Sequence, residues 1–435
     1  MTNRISTADV IVIGAGIAGL AAARRLSEVG RTVILLEARG RVGGRILTHR
    51  APQEDLPIEL GAEFVHGRAP ELIDLIDEAG LTLFERSGKP ICYENGQLCE
   101  CDFGEAFSVL DHLPSEPDMT FTEFLAQANL PEDLAGRARR YVEGFNAADA
   151  SRIGTAALLR QQEAEEAIEG DRLSFRIAEG YDRLPAFVLQ RFLDVGGQLH
   201  LNTVVTHIDW KLGEVRVRTK LSEAGKSQSK ISDTSPEPRE FLAEQAVIAL
   251  PLGVLQSGSL AIHPAPANSS AIEKMAMGPA TRLTLLFRER FWNHAVPELS
   301  FLLTQEKPLP TWWTSHPNDS PTLTGWAGGP RALAASHGPA LEKEALAMLA
   351  RIFARNDLAS LFISAHAHNW QSDPFSLGAY SYAPKGALHA SDEMAQPLEH
   401  TLYFAGEHTD LTGNWGTVHA ALGSGLRAAK QILGS

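Results

Sequence analysis

The chain has 435 residues, which predicts two or three domains at a prior of about 150 residues per domain. Hydrophobic residues make up 44% and charged residues 21%, so the composition is that of a folded protein and excludes a disordered one. The 39 Lys and Arg residues against 53 Asp and Glu residues give a formal charge of −14. This balance argues against nucleic acid and anionic membranes as partners.

The first predicted unit is a strand, a glycine-rich turn, a helix and a second strand. Residues 10–13 are all aliphatic, as in a parallel strand buried on both faces. The turn has the GxGxxG spacing: Gly14 permits the tight turn, Gly16 lets a pyrophosphate approach the backbone, and Gly19 permits close packing of helix on strand. Glu37 ends the second strand 23 residues after Gly14, where a carboxylate can accept hydrogen bonds from a ribose hydroxyl. The pattern predicts a dinucleotide site, with a purely structural turn as the alternative.

A second glycine pair follows this unit directly. Gly43 and Gly44 lie between arginines, among them Arg39 and Arg45. Glycines beside guanidinium groups suit a backbone that passes close to a phosphate. We expect one dinucleotide to contact both glycine-rich segments, and a solvated basic loop is the alternative.

The rest of the chain alternates between helical and strand patterns. Residues 70–190 predict a mostly helical insertion, and a polar stretch at 222–240 predicts a hairpin loop without an assigned role. Strands are predicted near 204–205, 215–218, 246–250, 283–287 and 402–407, and helices near 340–355 and 417–433. The strand and helix near the C-terminus repeat the strand–helix pattern of the first unit. The nucleotide-binding domain is therefore predicted to be assembled from separated segments of the chain.

Three cysteines lie within ten residues, at Cys92, Cys99 and Cys101. They are too few for a disulfide scaffold or a tetrahedral zinc site, so we expect free thiols in a reducing cytoplasm and no metal. No stretch reaches the roughly 20 apolar residues of a membrane span. The prediction is therefore a cytoplasmic protein without a membrane anchor.

Several ordered blocks resemble the flavin-containing amine oxidases, a family that includes monoamine oxidases, polyamine and spermine oxidases and lysine-specific histone demethylases. The blocks are VIVIGAGIAGLAAA from Val10, LLEARGRVGGR from Leu35, ELGAEFVHG from Glu59, AVIALPLGVLQ from Ala246, SDPFSLGAYSY from Ser372, and LYFAGEHTDLTGNWGTVHAALGSGLRAA from Leu402. The resemblance implies bound FAD and oxidation of a C–N bond. It also implies an α/β Rossmann-like FAD-binding domain (1–78, 184–268 and 392–435) and an α+β substrate-binding domain (79–183 and 269–391).

The resemblance also assigns cofactor contacts residue by residue. Residues that match positions around the nucleotide part of FAD and the flavin edge are Ala15, Glu37, Arg39, Arg45, Glu63 and Val205, with Gly61 and Ala62 in the same block as Glu63. Residues that match positions near the ribityl chain and the flavin ring are Gly406, Glu407, Thr417 and Val418. The helix that starts near Thr417 would place its N-terminus at the flavin N1 and C2=O, where negative charge develops on reduction.

Substrate-site residues follow from the same blocks. Tyr380 matches one wall of the family's aromatic cage, whereas the other cage position matches Thr417, so we expect a half-open cage. Ala379 stands where monoamine oxidases carry the cysteine that bonds the flavin, which predicts non-covalent FAD. His66 matches a histidine of spermine oxidases, and a pKa near neutrality would let it sense substrate charge. Trp370 matches a tryptophan packed beside the flavin.

Arg282 is the main departure from the family pattern. It stands where the family has a lysine that holds a water at flavin N5. Arginine keeps its proton in proteins, so a base role at this position is lost, although a positive charge near the flavin is retained.

The predicted function is an FAD-dependent amine oxidase for a secondary amine or polyamine, with O2 as the second substrate. Hydride passes from the amine α-carbon to flavin N5, water hydrolyses the imine to an aldehyde or ketone, and O2 is reduced to H2O2. A flavin dehydrogenase or desaturase that acts on a non-amine with another acceptor is the main alternative, because of Arg282. A non-catalytic flavoprotein is the third hypothesis. The sequence indicates neither the particular amine nor the oligomeric state.

Overall fold

A computed structural model describes residues 6–101, 108–222 and 239–434. The hairpin loop predicted at 222–240 lies almost wholly outside the described residues. Within the described part of the chain, one sheet has eight strands: Ser6–Ile13, Val33–Leu36, Gln198–His200, Thr203–Lys211, Glu214–Leu221, Glu240–Ile248, Ala261–His263 and Leu402–Phe404. Its central strands are parallel: Ser6–Ile13 lies between Val33–Leu36 and Glu240–Ile248.

The aliphatic run of the first strand is explained by two hydrophobic cores, one on each face of this sheet. Val10 and Val12 belong to one core, whereas Ile11 and Ile13 belong to the other. Because successive side chains point to opposite faces, a strand covered on both sides has no polar alternation. The helices Ile17–Glu28 and Val418–Leu433 pack against each other over the first core, so two segments that are far apart in sequence form one layer.

A second, mixed sheet is built from strands between residues 89 and 366. Its strands are Lys89–Glu94, Gln97–Glu100, Ala280–Phe287, Leu299–Thr304, Thr311–Thr314, Thr322–Gly328 and Phe362–His366. Leu283, Leu285 and Phe287 pack with the helix Pro339–Ile352 in a third core. Arg282 and Thr284 alternate with them along the same strand and therefore point to the opposite face.

The remaining elements connect and cover these sheets. Further short strands are Thr48–His49, Ile58–Glu59, Val65–His66, Leu83–Glu85, Ser174–Ile177, Ala276–Gly278 and Tyr380–Tyr382. Further helices are Pro70–Glu78, Phe121–Gln127, Glu132–Asn146, Thr155–Glu166, Arg183–Asp194, Leu252–Gln256, Ser269–Lys274, Pro330–Ala334, Leu358–Leu361 and Ala390–Met394, with 3-10 turns at Leu110–His112, Phe291–His294 and Glu407–Thr409. The architecture is a Rossmann-like α/β layer with a second, mixed sheet beside it.

Two expectations need correction. The insertion at 70–190 is less helical than predicted, because Lys89–Glu94 and Gln97–Glu100 form a hairpin that joins the second sheet. This hairpin also brings Cys92 and Cys101 to a Cα–Cα distance of 5.0 Å, and the two form a disulfide, so free thiols were the wrong prediction for this pair. Cys99 is a free, exposed cysteine.

No helix in the described ranges is both long and apolar enough to cross a bilayer. Across the same ranges, His, Cys, Asp and Glu side chains form no group of three that could hold a metal ion.

Candidate active site

The GxGxxG turn packs tightly on its protein side and leaves space on the other. Gly14 has φ +101°, and a Cβ there would lie 2.6 Å from the backbone oxygen of Ala249. A Cβ on Gly19 would overlap the backbone oxygen of Gly14, so both positions require glycine. A Cβ on Gly16, in contrast, would meet no atom within 4 Å. The backbone at Gly16 is therefore open to a ligand.

Glu37 is buried at the end of the second strand and closes this turn. Its carboxylate accepts hydrogen bonds from the backbone N–H groups of Ala15 and Arg39, both at 2.8 Å. Burial raises the pKa of Glu37, although the two backbone N–H groups oppose that shift. A carboxylate held beside a glycine-rich turn can accept from a ribose hydroxyl and disfavours a 2′-phosphate, which fits the adenosine half of FAD.

The second glycine pair lies directly against the first turn. The N–H of Gly43 donates to the backbone oxygen of Ala15 at 2.8 Å, and a Cβ on Gly44 would lie 3.3 Å from the Cα of Gly16. The two flanking arginines are each held by a carboxylate: Arg39 by Asp373 at 2.7 Å and Arg45 by Glu407 at 2.9 Å. These pairs fix both guanidinium groups beside the turn.

Residues near the C-terminus supply a third segment. Glu407 is buried and accepts hydrogen bonds from Arg45, the Ser381 hydroxyl and the N–H of Gly416. Burial alone would raise the pKa of Glu407, but Arg45 and these donors hold it below the usual value. The hydroxyl of Thr417 accepts from the N–H of Ala420 at 3.2 Å and thereby caps the helix Val418–Leu433. The helix N-terminus faces the cavity described next.

All three segments line one cavity of about 1520 Å³, whereas pockets for drug-sized ligands measure about 300–1000 Å³. The cavity has room for a dinucleotide and a second molecule. Its wall includes every candidate site residue except Ala15 and Gly19, which lie behind it: Gly14, Gly16, Glu37, Arg39, Gly43, Gly44, Arg45, Gly61, Ala62, Glu63, His66, Val205, Arg282, Trp370, Tyr380, Gly406, Glu407, Thr417 and Val418. Open backbone at Gly16, the Glu37 carboxylate and the helix N-terminus fit FAD.

Aromatic side chains form a continuous wall on the side of the second sheet. The rings of Tyr380 and Trp326 are parallel within 5°, with centroids 6.4 Å apart, and Trp313 follows at 6.3 Å from Trp326. Phe64 lies 5.5 Å from Trp313 and 6.0 Å from His66. Trp326 thus supplies a second ring beside Tyr380, and the half-open cage with Thr417 at its other position stays a prediction.

The end of one helix fixes two of these rings. Tyr380 donates its hydroxyl to the backbone oxygen of Phe145 at 2.6 Å, and the indole N–H of Trp326 donates to the backbone oxygen of Gly144 at 3.0 Å. The helix Glu132–Asn146 ends there, and the last carbonyls of a helix have no partner within the helix. The aromatic wall thus satisfies these carbonyls and is held rigid by them.

His66 ends a short strand, with Phe64 on one side and Phe145 on the other, at 6.0 and 6.2 Å between ring centroids. His66 is exposed and lines the cavity. Burial, with smaller contributions from His419 and Arg86, lowers the pKa of His66 to about 4. The lowered pKa favours the neutral form of His66, and its role as a sensor of substrate charge stays a prediction.

Glu63 joins two arginines rather than the glycine-rich turn. Its carboxylate accepts from Arg176 at 2.7 Å, from Arg282 at 2.5 Å and from the indole N–H of Trp313 at 3.1 Å. Arg282 also donates to the backbone oxygen of Gly61 at 2.9 Å. Burial alone would raise the pKa of Glu63, but Arg282 and Arg176 hold it below the usual value. Glu63 thus holds Arg282 in a fixed position at the cavity wall.

Trp370 lies beside the same segment. Its indole N–H donates to the backbone oxygen of Leu60 at 2.9 Å, and a Cβ on Gly61 would lie 3.1 Å from its ring. The sequence did not indicate the roles of Trp326, Arg176 or Trp313. Trp313 and Trp326 lie on the strands Thr311–Thr314 and Thr322–Gly328, and the alternation of side chains along these strands is the signal that could have placed them on the cavity side.

Comparisons with known proteins agree with this geometry. The family model described as flavin containing amine oxidoreductase matches residues 17–106 and 106–433. Polyamine oxidase 3 of Oryza sativa subsp. japonica is 27% identical over 452 residues, which cover 98% of this chain and 89% of the relative. Polyamine oxidase 2 of Arabidopsis thaliana is 27% identical over 449 residues, which cover 97% and 87%.

Two solved structures share the fold at 20% identity. Wild-type putrescine oxidase bound to putrescine has a TM-score of 0.79 and covers 99% of this chain and 100% of its own. Cyclohexylamine oxidase from Brevibacterium oxydans IH-35A also has a TM-score of 0.79 and covers 98% of each chain. The chain therefore belongs to the flavin containing amine oxidoreductase family and is an FAD-binding amine oxidase.

Proposed function

We propose that this enzyme oxidises a secondary amine or polyamine and passes the electrons to O2. The aromatic wall around Tyr380 and Trp326 carries the proposal, since it forms one side of the cavity that the dinucleotide segments also line. FAD bound in the cavity would supply two-electron oxidation of the amine at its α-carbon, with O2 reduced to H2O2 and the imine hydrolysed by water to an aldehyde or ketone. Relatives named polyamine oxidase and a fold shared with putrescine oxidase support this substrate class.

The wall explains how the amine becomes reactive. An alkylammonium has a pKa of about 10, so the pKa of the bound amine must fall by about three units for the neutral form to be present at pH 7. Apolar ring surfaces disfavour the charged form, and they supply part of this shift. The lowered pKa of His66 favours its neutral form, whose ring nitrogen can accept a hydrogen bond from the amine N–H.

Ala379 precedes Tyr380 on the cavity wall and has no atom that could bond to a flavin ring. We infer that FAD is held without a covalent bond, by the turn at Gly14 and Gly16, by Glu37 and by the helix N-terminus at Val418. The cytoplasmic location stays a prediction. The Cys92–Cys101 disulfide is typical of an oxidising compartment or of a redox-sensing pair, so the thiol state of Cys92 in cells tests this prediction.

Arg282 supports a second candidate, a flavin dehydrogenase that uses another acceptor. The pair with Glu63 fixes a permanent positive charge at the wall, and no base is available from an arginine. The charge can still stabilise negative charge that develops during oxygen reduction, so it is the missing base, and not a missing charge, that favours the dehydrogenase.

Rapid mixing with a panel of amines separates the candidates. The oxidase predicts that a diamine or polyamine bleaches the flavin absorbance without oxygen and that air restores the colour quickly. Bleaching without recovery in air would support the dehydrogenase, and absence of bleaching by any amine would contradict the proposed function.

A further inference from the structure

A second, small cavity of about 50 Å³ lies on the side of the Glu63–Arg282 pair that faces away from the main cavity, and we call it the chamber. Glu63, Arg282 and Trp313 line both this chamber and the main cavity, so these three side chains form the wall between them. Hydroxyl groups line much of the chamber and pair with each other, Thr284 with Thr324 at 2.9 Å and Ser320 with Thr322 at 2.8 Å. A water takes about 30 Å³ in the liquid, so the chamber has room for one or two.

Two buried donors at the chamber have no partner among the described residues. They are Nε of Arg282 and Nη1 of Arg176, and the side chains of both arginines are more than nine-tenths buried. Buried polar groups are nearly always hydrogen-bonded to protein or to ordered water. The chamber is polar, has room for water and is lined by both arginines, so ordered water is the partner that satisfies these donors.

Glu59 is a buried carboxyl group that lines the same chamber. It accepts from the hydroxyl of Thr48 at 2.7 Å and from the N–H of Tyr181 at 2.8 Å. It forms no ion pair with any Lys, Arg or His side chain of the described ranges. Burial raises the pKa of Glu59 to about 7, Glu63 adds to this shift, and Arg282 opposes it.

The charged and titratable groups around Glu59 have fixed charges near neutral pH. Arginine stays charged in proteins, and the pKa of Glu63 lies below its usual value. Burial raises the pKa of the Tyr181 hydroxyl further above neutrality. Arg50 interacts with Glu59 and is itself paired with Asp182 at 2.8 Å. The two positive charges of Arg176 and Arg282 and the one negative charge of Glu63 give a net charge of +1 at the chamber. Of these groups and Glu59, only Glu59 can change the local charge near neutral pH, by exchanging a proton.

We propose that the chamber holds ordered water between Glu59 and the two arginines, and that Glu59 takes up one proton when negative charge arises in the main cavity and releases it when that charge is lost. The inference rests on the proposed function. Two-electron reduction with transfer of one hydride adds one negative charge to the cofactor, and one proton from solvent on Glu59 offsets it. Reduction of O2 to H2O2 consumes two protons, one returned with the electrons and one released by Glu59. Glu59 is thus a proton-exchanging residue that acts through Arg282 and Glu63.

The test is a redox titration of the holoenzyme against pH, with chemical reductant and mediators in place of amine. Below about pH 7, wild type and Glu59→Gln should have equal slopes of midpoint potential against pH, because Glu59 is protonated in both redox states. Between about pH 7 and the higher pKa that Glu59 has when the cofactor is reduced, the wild-type slope should be steeper, since one more proton is taken up. An infrared difference spectrum should also show a protonated carboxyl band on reduction that is absent in Glu59→Gln. Equal slopes at every pH, or an identical carboxyl band in both, would overturn the proposal.

Matched variants keep the result interpretable. Glu143→Gln removes another partly buried carboxyl group with a raised pKa, which lines neither cavity, and should keep the wild-type slopes. If Glu59→Gln does not fold, Thr48→Val removes the hydroxyl that favours the ionised form of Glu59, so the steep region should begin at higher pH. An unchanged onset in Thr48→Val would count against Glu59. No amine enters the titration, so its failure is distinct from failure of the proposed substrate class.

Discussion

Glu63→Gln tests the buried cluster that positions Arg282. The carboxylate accepts from Arg176, Arg282 and Trp313, and each of the three carboxylate partners is itself buried. Glutamine keeps the shape of the side chain but removes the negative charge and turns one acceptor into a donor that faces a guanidinium. The substitution therefore leaves two buried positive charges without their counter-charge.

The expected decrease in the free energy of unfolding of Glu63→Gln is large relative to the total stability of a folded domain. Removal of one partner of a buried ion pair costs about 3–5 kcal/mol, and typical domains have about 5–15 kcal/mol in total. Urea unfolding of both proteins in the same excess of FAD measures the difference, since bound ligand stabilises the folded state. Glu298→Gln is the control, because the Lys89–Glu298 pair is 3.7 Å apart with side chains 70% and 60% exposed, and the urea midpoint should not change.

The difference in unfolding free energy between wild type and Glu63→Gln should depend on pH, and this dependence gives an independent check. The pKa of Glu63 is lower in the folded protein than its ordinary value of 4.5, so the cluster's contribution is present above about pH 4.5 and is lost as the pH falls through the folded pKa. The gap between wild type and Glu63→Gln should therefore persist from neutral pH to about pH 5 and close only in stronger acid. A loss below about 1 kcal/mol at pH 7, or a gap that closes near neutrality, would refute this account of the cluster.

Three further substitutions test the cofactor and substrate regions. Gly14→Ala places a Cβ 2.6 Å from the oxygen of Ala249 at φ +101°, so the purified variant should lose most of its flavin absorbance, whereas Gly96→Ala, at a hairpin turn with open space, should retain it. Trp326→Ala should lower the rate of anaerobic flavin reduction by amine about 3- to 10-fold with FAD retained, as expected from loss of an aromatic pair, and an unchanged rate would remove Trp326 from the substrate site. Arg282→Lys should change reoxidation by air more than reduction by amine, and equal changes in both half-reactions would contradict the role of this charge.

Local pattern was sufficient to predict the nucleotide-binding end of the fold. The spacing of Gly14, Gly16 and Gly19 and the position of Glu37 depend on neighbours within one strand–helix–strand unit. Burial on both faces also leaves a direct trace in sequence, because it removes polar alternation from residues 10–13. These features can therefore be predicted from the local sequence, without knowledge of the rest of the chain.

The substrate end was less predictable because its contacts join distant segments. Glu63 meets Arg282 across 219 residues and Trp313 across 250, so no local pattern indicates that these groups share a site. The low pKa of His66 results from burial by neighbours of other segments, which its sequence context does not reveal. The disulfide was missed for another reason: Cys92 and Cys101 pair only if the intervening residues form a hairpin, and the region had been assigned to a mostly helical insertion.

The flavin content of the purified protein tests the central claim most directly, namely that one FAD occupies the cavity between the two sheets. We expect a yellow protein with about one FAD per chain, and acid denaturation should release all of the flavin into the supernatant because Ala379 offers no bonding atom. A colourless protein that takes up no FAD when it is supplied, or flavin that stays with the precipitated chain, would contradict the account.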